Sequence, residues 1–195
     1  MKPMYTVHIG EYLVGEWIEK LYGSGKKAWR VWTPSRDTGI DLLVTSADCR
    51  RTVSLQVKYS KTYPRLYECK SFGWWELTRT AIENSTADFW VFVWPQFPAN
   101  DQQYPSVIDF VIIPPKKLLG RLEANSKNRE APIRINLSHI GNEVVETRGI
   151  DARGKGQTRG DIPKEIQKVM KDKTSSRNYT SYFNNWKLLE AALKG

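Results

Sequence analysis

The run DFWVFVW, residues 88 to 94, restricts the fold more than any other stretch of this chain. From Phe89 onward every residue is apolar, and each is aromatic or β-branched, types that favour an extended backbone. Side chains on a strand alternate between its two faces, so an unbroken apolar run means that both faces are covered. This strand therefore belongs inside a sheet with a packed layer on either side. Few architectures provide that, and the rest of the sequence chooses among them.

Helical and extended patterns alternate around the run. Residues 9 to 21, IGEYLVGEWIEKL, set Ile9, Leu13, Trp17 and Leu21 on one stripe with Val14 and Ile18 beside them, which predicts an amphipathic helix ended by Gly23, Ser24 and Gly25. A short strand over Ala28 to Trp32 follows, then TPSRDTG as a turn, then a strand from Ile40 to Thr45. After the turn ADCRR, Thr52 to Tyr59 reads as a strand, and the two strands form a hairpin. GWWELTRTAIENS is expected to open a helix near Trp75. SVIDFVIIP (106 to 114) predicts a strand, and PKKLLGRLEA a helix with Pro115 near its first turn. Signals weaken beyond Asn125. There APIRINLSHI holds a strand, Asp161 and Pro163 start the helix PKEIQKVMKDK, and FNNWKLLEAALKG closes as a helix capped by Asn184 or Asn185, with Trp186, Leu189 and Leu193 on one stripe. The sum is an α/β fold: a mixed sheet flanked by helices, with a helical C-terminal extension.

At 195 residues, 40% hydrophobic and 26% charged, the chain suits one domain, with a core over about 1–120 and an elaboration over about 121–195. It shows no internal repeat. No run approaches the roughly 18 apolar residues of a membrane span. The opening MKPMYTVHIGEYLV lacks the pattern of a secretory leader, so a cytoplasmic protein without a membrane partner is expected. Cys49 and Cys69 show no CxxC spacing, and His8 and His139 stand far apart, so a metal here would take oxygen ligands. The formal charge of +9, from 30 Lys+Arg against 21 Asp+Glu, draws polyanions and points to nucleic acid as the partner.

Against that background the hairpin GIDLLVTSADCRRTVSLQVKYS, residues 39 to 60, carries unusual side chains for a half-buried pair of strands. Val53, Leu55 and Val57 share one face of the second strand, which leaves Ser54, Gln56 and Lys58 on the other. Asp41 shares a face with Leu43 and Thr45. One antiparallel register brings Asp41 beside Gln56 and Lys58, its neighbour does not, and sequence alone leaves the choice open. If they meet, the Asp41 carboxylate, the Gln56 amide oxygen and the Val57 backbone carbonyl offer a hard divalent cation oxygen ligands of the kind Mg²⁺ prefers. Lys58 could then orient or help deprotonate an attacking water, or neutralise charge on a phosphate. Phosphodiester hydrolysis is the chemistry these parts suit.

This D…QxK arrangement, following a helix that bears Glu11 in GEYLV, resembles the PD-(D/E)XK nuclease superfamily, and most of all its Mrr-type restriction-endonuclease branch with Gln in the second motif. The matching elements are GEYLV, GIDLLV and QVKYS. The resemblance implies a restriction-endonuclease-like sheet and a metal-dependent DNA endonuclease using Mg²⁺, for which Mn²⁺ substitutes; because cutting both strands of a duplex needs two sites and a chain this size supplies one, a homodimer is expected. It implies Asp41 as the central metal ligand, Gln56 as a second ligand or positioner, Lys58 as the catalytic lysine and Glu11, preferred by motif position over Glu16, as an auxiliary acid and ligand. Ser60 falls where this branch often has a small polar residue. Two departures stand out: Ile40 rather than Pro precedes Asp41, and Gln56 replaces the commoner acid, removing a negative charge from the metal site. Alternatives of the same lineage are a Holliday-junction-resolvase-like nuclease and an inactive nucleic-acid-binding module.

Nucleic-acid contacts are expected from Ser60 and Lys61, from Trp74 and Trp75 by stacking on bases, and from Arg153, Lys155 and Arg159, with Arg148, in the loop RGIDARGKGQTRGD. Core packing is the competing account of the tryptophans, as it is for Trp17, Trp90, Trp94 and Trp186 in their apolar patterns. The same loop mimics a phosphate-binding GxxxxGK at Gly149, Gly154 and Lys155, but Gly156 stands where Ser or Thr is needed, so no nucleotide cofactor is expected.

Overall fold

A computed structural model describes residues 4–25, 28–35, 38–61, 69–96, 107–125, 132–150 and 161–194, with the side chains of the first helix from residue 8 onward. Among them the elements run in the order α1 (Met4–Tyr22), β1 (Arg30–Trp32), β2 (Leu42–Thr45), β3 (Thr52–Tyr59), β4 (Ser71–Leu77), α2 (Arg79–Glu83), β5 (Phe89–Gln96), β6 (Val107–Ile113), α3 (Pro115–Asn125), β7 (Ile133–Ile140), β8 (Glu143–Glu146), α4 (Lys164–Lys171) and α5 (Lys187–Lys194). The fold is mixed α/β. No helix of the described residues is long and apolar enough to cross a membrane.

The strands divide into a five-stranded sheet, in the order β1-β2-β3-β5-β6, and a three-stranded sheet, β4-β7-β8. Pairing is antiparallel except between β3 and β5, which run parallel. As the DFWVFVW run requires, β5 is an interior strand, between β3 and β6, and buried on both sides. One face of the large sheet presents Leu42, Val44, Val53, Leu55, Val57, Val91, Val93, Phe110 and Ile112 to α1 and α5. The other presents Trp90, Phe92, Trp94, Val111 and Ile113 to α3 and to the inner face of the small sheet, Trp75, Leu77, Ile133, Ile135 and Leu137. The two sheets thus share a core.

Helix α1 docks by a stripe one position round from the expected one. Val14 and Ile18 are fully buried, whereas Ile9 and Leu21 are 41% and 46% exposed. Gly10 sets the close approach: a Cβ there would lie 2.8 Å from that of Tyr59 on β3. At the other end of the chain, Trp186, Leu189 and Leu193 are buried on one stripe of α5, as expected. Neither asparagine caps it. Asn184 adopts a left-handed conformation and its Oδ1 accepts the Phe110 N–H at 3.0 Å, while Asn185 Nδ2 donates to Ser181 O at 2.8 Å.

The expected helix near Trp75 is a strand. From Ser71 to Leu77 burial alternates strictly, with Ser71, Gly73, Trp75 and Leu77 inward and Trp74 and Glu76 outward, and the helix begins only at Arg79, where the Thr78 hydroxyl accepts the Ala81 N–H. Aromatic side chains suit a pleated, half-buried surface, and the Trp75 indole lies across Gly73, where a Cβ would come within 2.0 Å of its ring. Strand β8 has no counterpart in the expected elements. It pairs with β7 through the two-residue turn Gly141-Asn142, in which Gly141 takes a left-handed φ of 60°.

A buried polar cluster clasps the two sheets. Asp109, on β6 and 1% exposed, accepts three hydrogen bonds on Oδ2: a short one from the Ser71 hydroxyl of β4, one from Gln96 Nε2 at 2.9 Å, and one from His139 Nδ1 of β7 at 3.0 Å. Trp94 Nε1 donates to the Ser71 hydroxyl at 2.7 Å. Three donors converge on one carboxylate oxygen, which offsets the cost of burying it.

Candidate functional site

The open question of register resolves in favour of contact. Leu42 pairs with Leu55 and Leu43 with Ser54, which brings Asp41, one residue before β2, to the edge of β3 beside Gln56. The Asp41 N–H donates at 2.8 Å to the carbonyl of Leu55, the residue that Leu42 also pairs with. Its carboxylate turns back onto β3, where Oδ2 accepts the Val57 N–H at 2.6 Å and Gln56 Nε2 at 2.7 Å. The carboxylate can only accept, so the Gln56 NH₂ group must face it. Charge-assisted bonds of this kind contribute about 1.5–3 kcal/mol each and hold the side chain in one place.

Strand geometry also locates the Val57 carbonyl. Ser54 O accepts the Asp88 N–H and the Ser60 N–H donates to Val93 O, so the even-numbered residues of β3 bond to the β5 side. Leu55 and Val57 direct their backbone groups the other way, toward β2. Since β2 begins opposite Leu55, the Val57 C=O opens into the notch that the Asp41 carboxylate occupies. Gly39, with φ of +80°, brings the chain to this notch; a Cβ there would stand 3.6 Å from Gln56 Oε1. The Asp41 carboxylate, the Val57 backbone and the Gln56 amide therefore meet at one edge of β3, and their oxygens are of the hard kind that a divalent cation takes.

Lys58 lies on the same face, one step along β3. Its ammonium sits 5.4 Å from the ring centroid of Trp90, the residue opposite Gln56 on β5, and its carbonyl accepts Trp75 Nε1 at 2.9 Å. Among the described residues no carboxylate lies within ion-pair distance of it. The result is a row of Asp41, Gln56 and Trp90 across three strands, with Lys58 over its end.

Glu11 comes from the helical layer. Helix α1 packs on the opposite face of the sheet, and Glu11 lines a cleft of about 630 Å³ with Tyr12, Glu16, Val31, Thr33 and Leu42, its carboxylate 3.4 Å from His8 Nδ1. No described hydrogen bond or ion pair links Glu11 to Asp41, Gln56 or Lys58. Glu16 lines the same cleft.

The expected nucleic-acid contacts fare unevenly. Ser60 is 4% exposed and structural: its hydroxyl donates to Lys61 O and accepts the Trp74 N–H at 2.9 Å. Trp75 is 5% exposed and packs edge-on against Phe92 and Trp94, so it belongs to the core. Trp74, 38% exposed, and Lys61 face outward. Arg148 is half-buried against the Glu146 carboxylate, which Arg177 also holds at 2.7 Å. Arg153, Lys155 and Arg159, with the GxxxxGK mimic beyond Gly149, lie outside the described residues. Sequence reasoning passed over Trp90 as the partner of Lys58; its place opposite Gln56 depends on the β3–β5 register.

Among the described residues no three His, Cys, Asp or Glu side chains cluster as a metal-holding group, so a cation at the notch would depend on the amide and the carbonyl beside Asp41. Comparisons of the chain with protein-family models, with curated proteins and with solved structures return no match.

Proposed function

We propose that the notch at Asp41 holds a divalent cation and that the chain is a metal-dependent DNA endonuclease of restriction-endonuclease-like fold. The observation that carries this reading is the register that sets Asp41 against Gln56 and the Val57 N–H, with Lys58 on the same face. Asp41, already fixed by Val57, would hold the cation together with the Val57 carbonyl, and Gln56 would add its amide oxygen once its NH₂ leaves Asp41. A bound Mg²⁺ or Mn²⁺ would polarise the phosphoryl oxygen and lower the pKa of an attacking water. Lys58 contributes a fixed positive charge toward the negative charge that builds on the phosphate. The formal charge of +9 supports a polyanionic substrate, and two copies of the chain would be needed to cut both strands of a duplex.

Plasmid nicking in Mg²⁺ or Mn²⁺ tests the proposal. The unmodified chain should cut, and Asp41→Ala and Lys58→Ala should lower the rate by about a hundredfold or more, as expected for groups that stabilise transition-state charge. Equal cutting by the variants rejects the assignment. The neutral Gln56 favours a second reading, a DNA-binding module without cleavage, which predicts salt-sensitive binding and no nicking in any divalent ion.

A further inference from the structure

Lys58 is placed where it ought to spoil the notch. Same-face neighbours along a strand lie about 6.5–7 Å apart, and Lys58 is the next such residue after Gln56, whose amide touches the Asp41 carboxylate at 2.7 Å. A lysine carries a compact charge on a flexible four-carbon stem, so an ion pair with Asp41 is within its reach. Such a pair would block a carboxylate that a cation must use. The ammonium instead lies over the indole of Trp90.

Trp90 is built as a rigid platform. It is 1% exposed, its Nε1 donates to the Ser85 hydroxyl at 2.8 Å, and its ring rests against Phe92 with centroids 6.3 Å apart. Ser85 is itself fixed, its hydroxyl accepting the Ala87 N–H at 3.3 Å. Indole is the best aromatic acceptor for an ammonium ion.

We infer that Trp90 is a positioning residue that holds the Lys58 ammonium off the Asp41 carboxylate and so keeps the notch open to a divalent cation. The inference rests on the metal-binding reading above and adds a residue that touches neither cation nor substrate. Without the indole, Lys58 falls onto Asp41 and competes with the cation.

Mn²⁺ titration followed by electron paramagnetic resonance of the free ion tests this on the full chain, with no nuclease assay. Trp90→Phe, which keeps an aromatic face, should bind Mn²⁺ within about twofold of the unmodified chain, and Trp90→Leu about tenfold more weakly, a difference in the range of a desolvated cation–π contact. The double variant Trp90→Leu/Lys58→Ala should regain the affinity of Lys58→Ala alone, because removing the competitor removes the defect. Thermal melts confirm folding. Ser85→Ala, with and without Lys58→Ala, carries the same test if Trp90→Leu fails to fold, with a loss of about twofold, the low end for a single hydrogen bond. Undiminished binding by folded Trp90→Leu overturns the inference, as does a loss that Lys58→Ala fails to rescue, which marks a merely structural tryptophan. Absence of Mn²⁺ binding by the unmodified chain overturns the metal reading itself and this inference with it.

Discussion

Replacing Gln56 with glutamate puts the geometry of the notch to a quantitative test. In the structure Gln56 Nε2 donates to Asp41 Oδ2 at 2.7 Å, so Gln56→Glu exchanges an attractive contact for two carboxylates face to face. The lost charge-assisted hydrogen bond is worth about 1.5–3 kcal/mol. Two unit charges about 4 Å apart repel by about 4 kcal/mol at an effective dielectric constant of about 20. Both residues are half-buried, and solvent screening and side-chain rotation relieve much of that repulsion, leaving a net loss of about 2–3 kcal/mol. For a chain of this size the melting temperature should fall by about 5–10 °C without divalent cations. A cation reverses the sign, because the added charge now attracts it. Mg²⁺ should bind the variant about a hundredfold more tightly, a gain of about 2.7 kcal/mol, and raise its melting temperature more than that of the unmodified chain. Differential scanning calorimetry of both proteins, with EDTA and across a Mg²⁺ series, reads both effects. Coincident melts that ignore Mg²⁺ would refute the reasoning, since they would mean that residues 41 and 56 do not share one site.

Two further predictions concern stability. Asp109→Ala removes the acceptor shared by Ser71, Gln96 and His139 and leaves the buried Ser71 and His139 donors and the half-buried Gln96 without it, so urea unfolding should show a loss of about 3–5 kcal/mol, with Asp109→Asn costing less because one carbonyl acceptor survives. Burial pushes the Glu146 carboxyl above its ordinary range, against the opposing pull of Arg177. A carboxyl raised in the folded state contributes stability that is complete at low pH and lost as pH rises through its folded pKa. The melting temperature of the unmodified chain should accordingly fall relative to Glu146→Gln as pH is raised above the ordinary carboxylate range, and parallel pH profiles would contradict this.

Much of the site was legible because alternation is a strict rule on strands. The span of β3, Thr52 to Tyr59, and the face shared by Gln56 and Lys58 follow from pattern alone. Register does not, because it depends on which apolar residues of β2 find partners, and here the pairing of Leu42 with Leu55 decides it. The same alternation, applied to SFGWWEL, separates inward Trp75 from outward Trp74; a helical reading of that segment hid it and assigned both tryptophans to nucleic acid. Ser60 was taken from its place in a motif, which says nothing of burial. Strand β8 had a signal in Gly141-Asn142, a two-residue turn between apolar runs. The clasp of Asp109 and His139 had none: its members lie far apart in sequence and meet only when the two sheets stack.

The helical face of the large sheet has a further consequence for biosynthesis. Its cover comes from opposite ends of the sequence, α1 and α5, which Tyr22 joins by donating to Glu190 at 2.7 Å. Phe110 waits for Trp186, whose ring meets it edge-on with centroids 5.1 Å apart. During translation the part of this greasy surface that α5 covers therefore stays open to solvent or to a chaperone until α5 has cleared the ribosome exit tunnel. A stop codon placed just before Trp186 would spare every notch residue and still deliver an insoluble product.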